Sequence, residues 1–425
     1  MKINKKLFLF LFIILGIFMI TSCKKDNNEN EEYDNGDIKY ELEEDGQSYY
    51  VSYFDPFIKN VKIPDEYNGL PITIISEEAI RKANNIESLT LSKNIVDIYD
   101  WDLSYFVNLK YLNVDKDNPK YESINNCNAI FEKGTNTLAF GCANTTIPVG
   151  TKVIGAKAFN SCQTLKNIEI PSTVVSIEHN AFYRCINLES IVIPDSVTYI
   201  GSGTFSRCEN LSSVTLSCNL TSIEGGLFSG CGLLESITIP DTVTKIGPSA
   251  FDCCSNLKNI IIPDSVNEIG TSAFAFCKNL ESVQLSKNLS EIGRETFSYC
   301  KSLKSIIIPE GVEKIDFQTF KSCSSLEYIQ LPKTLKRIDW DVFGGCTSLK
   351  ELVLPDGLKS IGNHSFSGCS SLESLIIPES VTYMGQFIFE GCPNLTIYCE
   401  ADSMPNSWQE TWNNANLPVV WGFEE

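Results

Sequence analysis

The amino-acid sequence predicts a mainly β repeat solenoid, in which coils of 23 residues stack with their strands parallel. From Ile147 onward the chain divides into consecutive 23-residue rows, without an insertion as far as the last row. Phenylalanine fills one column in all eleven rows, from Phe159 to Phe389, and cysteine fills another column three residues later, from Cys162 to Cys392. A fixed period of this length is typical of folds whose units bury their apolar faces against their neighbours.

Each row has the form L-x-x-I-x-I-P-x-x-x-V-x-x-I-G-x-x-A-F-x-x-C-x-x. The I-x-I segment alternates as a strand does, and Pro and Gly end the segments. Burying about eight apolar side chains stabilises one coil by ~16 kcal/mol, against ~1–2 kcal/mol of backbone entropy for each ordered residue. A single coil therefore cannot fold alone, and the array needs a cap at each end.

The N-terminal residues predict export and a lipid anchor. Lysines precede an apolar run from Leu7 to Ile20, which is shorter than the roughly 20 residues that span a bilayer. The ending Ile20-Thr21-Ser22-Cys23 resembles a bacterial lipobox, whose cysteine is acylated and becomes the first mature residue. We interpret residues 1–22 as a lipoprotein signal peptide and Cys23 as the lipidation site. The alternative is an ordinary secretory signal with an incidental cysteine.

Residues 23–37 predict a flexible tether, because this polar stretch cannot bury enough apolar surface to fold. Its opening Lys24-Lys25-Asp26 resembles the signals that send lipoproteins of some Gram-negative bacteria to the outer face of the outer membrane. We expect a surface-exposed protein of the outer membrane that contacts the membrane through its lipid anchor only.

The remaining chain divides into an N-terminal cap with divergent coils (38–146), the regular coils (147–398) and a C-terminal cap (399–425). Ten surplus residues between Val114 and Ile147 predict a β-hairpin insertion with a two-residue turn at Gly134-Thr135. Four aromatic residues after Cys399 predict a lid over the last coil, with a stacking platform for sugars as the alternative. They are Trp408, Trp412, Trp421 and Phe423.

The row L-x-x-I-x-I-P with V-x-x-I-G-x-x-A-F-x-x-C resembles the BspA-like class of leucine-rich repeats, from about residue 63 to the C-terminus. The upstream KIPDEYNGLPITIISEEAI resembles the opening coil of such proteins. The resemblance implies a leucine-rich-repeat solenoid that works by non-covalent binding. Because members of this class include surface adhesins that bind host matrix proteins, it also implies a protein partner, with host matrix proteins as one class.

The column cysteines predict a ladder of small buried thiols that pack beside the phenylalanines. Seventeen cysteines in an exported chain also fit disulfides, but eleven column members are an odd number and all point inward in parallel. Cys127 and Cys142 differ, because counting outward from the Gly134-Thr135 turn places them opposite each other. A disulfide between them is geometrically open, although they fall at a hydrogen-bonded pair, where side chains are farther apart.

Composition and motifs argue against catalysis and against nucleic acid. The net charge of −19 is wrong for a partner that demands basic patches. His179 and His364, the only histidines, fall in different columns about eight coils apart and predict exposed turn residues rather than a catalytic dyad. A linear thiol ladder cannot supply tetrahedral zinc ligands, and no phosphate-binding glycine loop is present. We therefore expect no enzyme activity, no cofactor and no metal.

The outward face of the strands is the candidate binding face. Its members stand between the two inward residues of I-x-I: Val192, Thr215, Thr238, Ile261, Gln284, Ile307, Gln330, Val353 and Ile376. An apolar or amide-bearing stripe on an open sheet is typical of a protein-binding surface, but strand propensity also selects β-branched residues. A glycan-binding accessory role in outer-membrane uptake is the alternative function, with Tyr328 and Trp340 as candidate aromatic contacts.

A charged column on the same face predicts a role in strand register. It contains Lys166, Glu189, Ser212, Glu235, Lys258, Glu281, Lys304, Glu327, Lys350 and Glu373. From Glu235 onward the sign alternates at every coil. Because opposite charges on neighbouring strands attract, the column favours the correct register and opposes slippage.

Overall fold

The computed structural model describes residues 38–97 and 105–424, and it confirms a mainly β solenoid with parallel strands. Helical structure in these ranges consists of one short α-helix, α1 (Glu77–Arg81), and one 3-10 turn (Ala83–Asn85). The predicted signal peptide, Cys23 and the tether lie outside the described residues. Each regular coil has 23 residues and makes the same backbone and side-chain contacts with its neighbours as the coil before it.

In residues 38–97 and 105–146 the N-terminal cap forms ten strands. They are β1 (Ile38–Leu42), β2 (Tyr49–Phe54), β3 (Asn60–Lys62), β4 (Glu66–Tyr67), β5 (Leu70–Ile75), β6 (Ser88–Leu91), β7 (Tyr111–Val114), β8 (Tyr121–Glu122), β9 (Ala129–Glu132) and β10 (Thr137–Gly141). One sheet has the order β1-β2-β5-β4, and β3, β6 and β7 begin the parallel stack. Ser76 is the N-cap of helix α1, and its side-chain oxygen accepts a hydrogen bond from the Ala79 N–H at 3.2 Å.

The predicted hairpin is present as β9 and β10, but its turn is wrong in detail. Residues 133–136 form a four-residue loop instead of a two-residue turn. The register also shifts between Leu138 and Phe140, so that Gly141 lies opposite Ala129. A bulge of this kind leaves one residue unpaired and changes every pairing beyond it.

This register shift removes the predicted opposition of Cys127 and Cys142, and both are free thiols. The Cys142 sulfur instead lies 3.0 Å from the carbonyl oxygen of Lys110 and 3.3 Å from that of Asn128. The Cys127 sulfur lies 3.9 Å from the carbonyl oxygen of Ala129. The proposed disulfide is therefore not formed, because the pairing on which it depended does not occur.

The hairpin forms a wall between two hydrophobic cores. Ala129 and Phe131 belong to the core of the regular coils, whereas Ile130 and Phe140 belong to the core of the N-terminal cap. Strand β10 then pairs in parallel with the first regular coil at 153–154. Because alternate side chains of a strand point to opposite faces, two strands suffice to close both cores.

The regular coils present two sheets. The first face consists of the I-x-I segments, at Ser190–Val192, Ser213–Thr215, Asn259–Ile261, Ser282–Gln284, Ser305–Ile307, Tyr328–Gln330 and Ser374–Ile377, followed by Thr396–Cys399 and Val419–Trp421. Residues 167–170, 236–239 and 351–354 occupy the same place in three other coils without strand pairing. The first face is therefore a parallel sheet with three interruptions.

The second face consists of two-residue strands, each of which precedes the turn edge of its coil. They are Val153–Ile154, Ser176–Ile177, Tyr199–Ile200, Ser222–Ile223, Lys245–Ile246, Glu268–Ile269, Glu291–Ile292, Lys314–Ile315, Arg337–Ile338, Ser360–Ile361 and Tyr383–Met384. The second residue of each strand is buried and the first is exposed or half-buried. A two-residue strand thus needs only one inward side chain to stay in register.

The third side of each coil, here called the turn edge, is the six-residue segment that ends at the column cysteine, such as 157–162. The N–H groups of Lys157, Phe159 and Ser161 donate to carbonyl oxygens of the next coil at 3.0, 2.7 and 2.6 Å. The residues between them bond within their own coil. This alternation requires positive φ at two positions of every turn edge, two residues before the phenylalanine and one residue before the cysteine.

The column phenylalanines stack along the axis of the solenoid. From Phe159 to Phe389 the ring centroids of successive coils lie 4.9–5.8 Å apart, with interplanar angles of 4–18°. At one end, a Cβ on Gly141 would lie 2.1 Å from the Phe159 ring, so only glycine admits that ring. At the other end, Trp412 meets Phe389 edge-on at 6.1 Å. The stack is therefore closed at both ends by residues of different size.

The column cysteines are buried free thiols, as predicted, but ten of the eleven also make a hydrogen bond that the sequence did not reveal. In ten successive coils, from Cys185 to Cys392, the thiol lies 3.0–3.2 Å from the carbonyl oxygen of the phenylalanine in the preceding coil. That oxygen also accepts the N–H of its own coil's cysteine, as with Phe159 and Cys162 at 3.0 Å. Two donors satisfy both lone pairs of a buried carbonyl.

We predict that the native chain reacts with a thiol reagent almost only at Cys218 and Cys253, which are the exposed cysteines among the sixteen in the described ranges. Burial raises the pKa of the Cys208 thiol to about 12, so the reactive thiolate is scarce at pH 8. Alkylation with and without denaturant, read by mass spectrometry, measures this. Bridged cysteines after denaturation, or labelling of most column members in the native chain, would contradict the ladder of free thiols.

Candidate binding surface

The predicted binding face is exposed on the first face of the solenoid. Of the nine residues that form this apolar stripe, eight are exposed and Ile376 is half-buried. The aliphatic members are open to solvent to an unusual degree, with Val353 83% and Ile261 62% exposed. Their neighbours on either side in the strand point inward and are buried, so the stripe carries side chains that the core does not use.

Strand pairing aligns the stripe across coils. Val192 lies beside Thr215, and Ile261 lies beside Gln284. Ile307 likewise lies beside Gln330. Neighbouring strands are ~4.8 Å apart, so paired side chains form a continuous surface rather than isolated points.

The stripe extends beyond the residues that the sequence predicted. Ile376 pairs with Tyr398, and Tyr398 pairs with Val420, which is 42% exposed. Successive members are 22 residues apart here instead of 23. A column of 23-residue rows therefore did not include Tyr398 and Val420. The strand itself is marked by the alternation of half-buried and buried residues in TIYC.

Two of the three sheet interruptions open clefts of about 510 Å³ beside the stripe. One lies between the strand at 328–330 and residues 351–354, and its lining includes Tyr328, Gln330 and Val353. The other lies beside Val192 and the unpaired segment 167–170. These clefts give an otherwise even sheet two local depressions.

The charged column beside the stripe forms separate ion pairs instead of a continuous ladder. Lys258 contacts Glu235 at 2.8 Å and Lys304 contacts Glu281 at 2.9 Å. In the described ranges, Glu327 and Lys350 form no ion pair. The alternation of sign is as predicted, but Lys258 and Lys304 each pair only with the glutamate of the preceding coil.

A groove of about 800 Å³ lies on the second face, where Gly270 and Gly293 replace side chains. A Cβ on either glycine would lie 2.6 Å from the backbone of the preceding coil, so close packing of coils excludes any larger residue. Glu268, Glu291 and Lys314 line its sides. The groove follows from this packing and holds charges of both signs.

The described residues bring no catalytic or metal-binding groups together. His179 and His364 are both exposed turn residues, as predicted, and His364 lies 4.0 Å from Glu390. The described ranges contain no group of three or more His, Cys, Asp or Glu side chains that could hold a metal ion. Nor does any helix within them have the length and apolar character to cross a membrane.

The aromatic C-terminal residues form the predicted lid. Trp408 and Trp412 are buried, and the Trp408 indole N–H donates to the Val381 carbonyl oxygen at 3.1 Å. Trp421 and Phe423 are half-buried, and a sugar platform at these two rings stays a prediction. Tyr328 and Trp340 are exposed but lie apart, one on the first face and one in the turn after the strand at 337–338.

The stacked coils and the exposed parallel sheet define a leucine-rich-repeat solenoid, a class that typically acts as a protein-interaction scaffold without enzymatic activity. The chain belongs to the family of the BspA type leucine-rich repeat region, which matches residues 49–141, 139–258, 226–350 and 313–415. The resemblance stated from the repeat motif is thereby confirmed.

Solved structures of bacterial leucine-rich repeat proteins are similar to this chain. A leucine-rich repeat protein from Bacteroides ovatus ATCC 8483 is 27% identical, with 91% of this chain and 98% of that chain covered and a TM-score of 0.59. A leucine-rich repeat protein from Eubacterium ventriosum ATCC 27560 is 21% identical, with 87% and 95% covered and a TM-score of 0.51, and shows the fold alone. No curated protein is significantly similar to the chain.

We predict that Lys304→Glu lowers the free energy of unfolding by ~0.2–1 kcal/mol, because it places three acids in line on neighbouring strands. Adding Glu281→Lys restores the opposite sign and recovers the loss. Lys304 lowers the pKa of Glu281, so the contribution of the pair is present above the unfolded pKa of a glutamate and is lost as pH falls through the folded value.

Urea titrations of the single and double variants at low and high salt measure this coupling. Glu327→Gln, which removes a charge at a position without an ion pair and places no like charges in line, is the matched control. Equal stability of Lys304→Glu and wild type at low salt would contradict a role for the column in register.

Proposed function

We propose that this protein binds another protein through the apolar stripe of its first face, as a lipid-anchored protein of the bacterial surface that acts in adhesion or host interaction. The observation that carries the proposal is the exposure of aliphatic side chains at Val192, Ile261, Ile307 and Val353. A water-exposed row of this kind has no use in the core, and a partner that covers it gains its burial energy.

The size of that gain is sufficient for specific binding. Burying one Val or Ile side chain fully contributes about 1.5–3 kcal/mol. Four such side chains are exposed among the nine residues of the stripe. Only a part of this appears as affinity, because association costs translational freedom and side-chain order. The clefts beside Val353 and Val192 supply depressions in which an anchoring side chain of the partner can be enclosed.

The anchor rests on the N-terminal sequence. Cys23 ends the lipobox-like run, and the residues up to 37 are polar. The described fold begins with β1 at Ile38. An acylated Cys23 would therefore hold the solenoid near the outer-membrane surface, with the stripe free to meet host matrix proteins.

We predict that replacing Ile261, Ile307 and Val353 by lysine weakens binding to an immobilised host matrix protein by tenfold or more, equivalent to ~1.4 kcal/mol. These side chains point outward, so thermal unfolding should be little changed. Surface plasmon resonance with collagen and fibronectin as separate probes gives the affinities.

The matched control carries the same three added charges at exposed apolar positions off the stripe, as Val149→Lys, Val175→Lys and Tyr383→Lys. It should bind as wild type does. A folded stripe variant of unchanged affinity would place the binding site elsewhere. Failure of the wild-type chain to bind any matrix protein would contradict adhesion to host matrix.

We predict that Cys23→Ala abolishes acylation and releases the chain from the membrane fraction. A thioether-linked lipid can form only on the cysteine sulfur. Labelling of cells with a fatty-acid analogue, followed by fractionation, measures both effects. Continued labelling of the Cys23→Ala chain would exclude this residue as the lipidation site.

A further inference from the structure

A second exposed surface lies on the turn edge, away from the apolar stripe. Phe276 and Tyr299, each one residue before a column cysteine, stack with ring centroids 4.7 Å apart and an interplanar angle of 6°. Phe276 is 40% exposed and Tyr299 is half-buried. The pair is therefore a small aromatic platform on the surface and not part of the core.

The backbone does not favour aromatic residues at these two positions. All eleven residues of this column have positive φ, and Phe276 and Tyr299 have φ of 58° and 61°. Glycine, which takes this conformation freely, fills the column at Gly230, Gly345, Gly368 and Gly391. A bulky side chain is disfavoured there, and the chain nevertheless has one in two successive coils.

The residues on either side of the pair leave both outer ring faces open. In the coils before Phe276, the same column holds Cys253 and then Gly230. In the coils after Tyr299, it holds Ser322 and then Gly345. Because these side chains are small, a flat apolar ring of a ligand can take the place of a third ring in the stack.

Cations stand beside the platform without acidic partners. Lys278 and Lys301, each two residues after one of the rings, are exposed and form no ion pair with any described residue. Partial burial raises the pKa of the Cys253 thiol, and the charges of Lys278 and Arg207 oppose that rise, so both cations lie near this thiol.

Other polar groups complete the surface. The Asn279 amide donates to Asn256 of the preceding coil at 3.2 Å and is itself exposed. Asp252 is the nearby carboxylate, and it accepts from the Cys253 thiol at 3.5 Å. Amides that keep free donors and acceptors can bind hydroxyl groups. The charges of Lys278 and Lys301 together outweigh the single charge of Asp252.

We propose that Phe276, Tyr299, Lys278 and Lys301 form a binding site for an acidic saccharide. The apolar face of a pyranose ring packs on an aromatic ring, its hydroxyl groups pair with the amides, and its carboxylate or sulfate groups pair with the lysines. A protein partner is disfavoured, because the platform is two rings wide and lacks the surrounding apolar area of a protein interface. The site is independent of the apolar stripe and adds to the proposed function.

The experiment measures binding of the full-length chain, in detergent, to immobilised hyaluronan, dextran sulfate and neutral dextran. The aromatic variant is Phe276→Ser with Tyr299→Ser, since serine already occupies this column at Ser161 and Ser322. The cation variant is Lys278→Gln with Lys301→Gln. The control is His364→Ser with Phe387→Ser, which removes another stacked pair with positive φ on the turn edge.

We predict that the wild-type chain binds hyaluronan or dextran sulfate more tightly than neutral dextran. The two acidic polymers distinguish carboxylate from sulfate as the recognised group. The aromatic variant should bind the preferred polymer at least tenfold more weakly while unfolding at about the same temperature, since serine already takes this conformation at Ser161 and Ser322. The cation variant should also bind more weakly and with a smaller salt dependence, and the control should stay within twofold of wild type.

Three results would overturn the proposal. The first is absence of wild-type binding to both acidic polymers. The second is full affinity of the aromatic variant, which would mean that scattered lysines alone hold the polymer. The third is an aromatic variant that keeps its saccharide affinity but loses a protein ligand of the stripe, which would make the platform part of a protein contact.

Discussion

The solenoid depends on one buried oxygen in each coil. The phenylalanine carbonyl receives the N–H of its own coil's cysteine and the thiol of the next coil's cysteine, as at Phe159, Cys162 and Cys185. The thiol of the next coil supplies the second of the two donors, so each coil needs its neighbour to satisfy both lone pairs of this oxygen. Cysteine suits the position because it is small, packs as an apolar side chain and still donates. Serine would form the same bond but at a higher cost of burial, and alanine would leave the oxygen with one donor.

Contacts repeated in every coil, such as this hydrogen bond, distinguish the positions that stabilise the fold from the positions whose side chains can differ between coils. The side chains of the inward columns and the backbone conformation of the turn edge are fixed by contacts repeated in every coil. The outer columns carry no such constraint, so Val353 or Phe276 can differ between coils at little cost to the stack. Both proposed binding surfaces, the stripe and the aromatic platform of the turn edge, lie on columns whose members change along the chain.

Period and alternation were enough to predict the coils, the outward stripe and the aromatic lid, because these depend on which residues share a column. They did not predict the thiol bond, since a buried cysteine and a hydrogen-bonded one give the same pattern. The bulge between Leu138 and Phe140 was missed because a register shift follows from packing on two cores, and with it the pairing of Cys127 and Cys142 was predicted wrongly. Phe276 and Tyr299 were missed because sequence does not display φ, and only a left-handed backbone makes an aromatic residue there unusual.

The paired charges on the first face limit how the chain can grow. Every backbone and thiol bond of a regular coil reaches only the coil before or after it, so duplication of one internal coil preserves all of them. The ion pairs behave differently, because Glu235 with Lys258 and Glu281 with Lys304 each occupy two successive coils. Copying a single coil would place like charges side by side, whereas copying two coils keeps the order of signs. Gene duplication in this part of the chain should therefore favour even steps, and the length of the stripe should change by two strand spacings at a time.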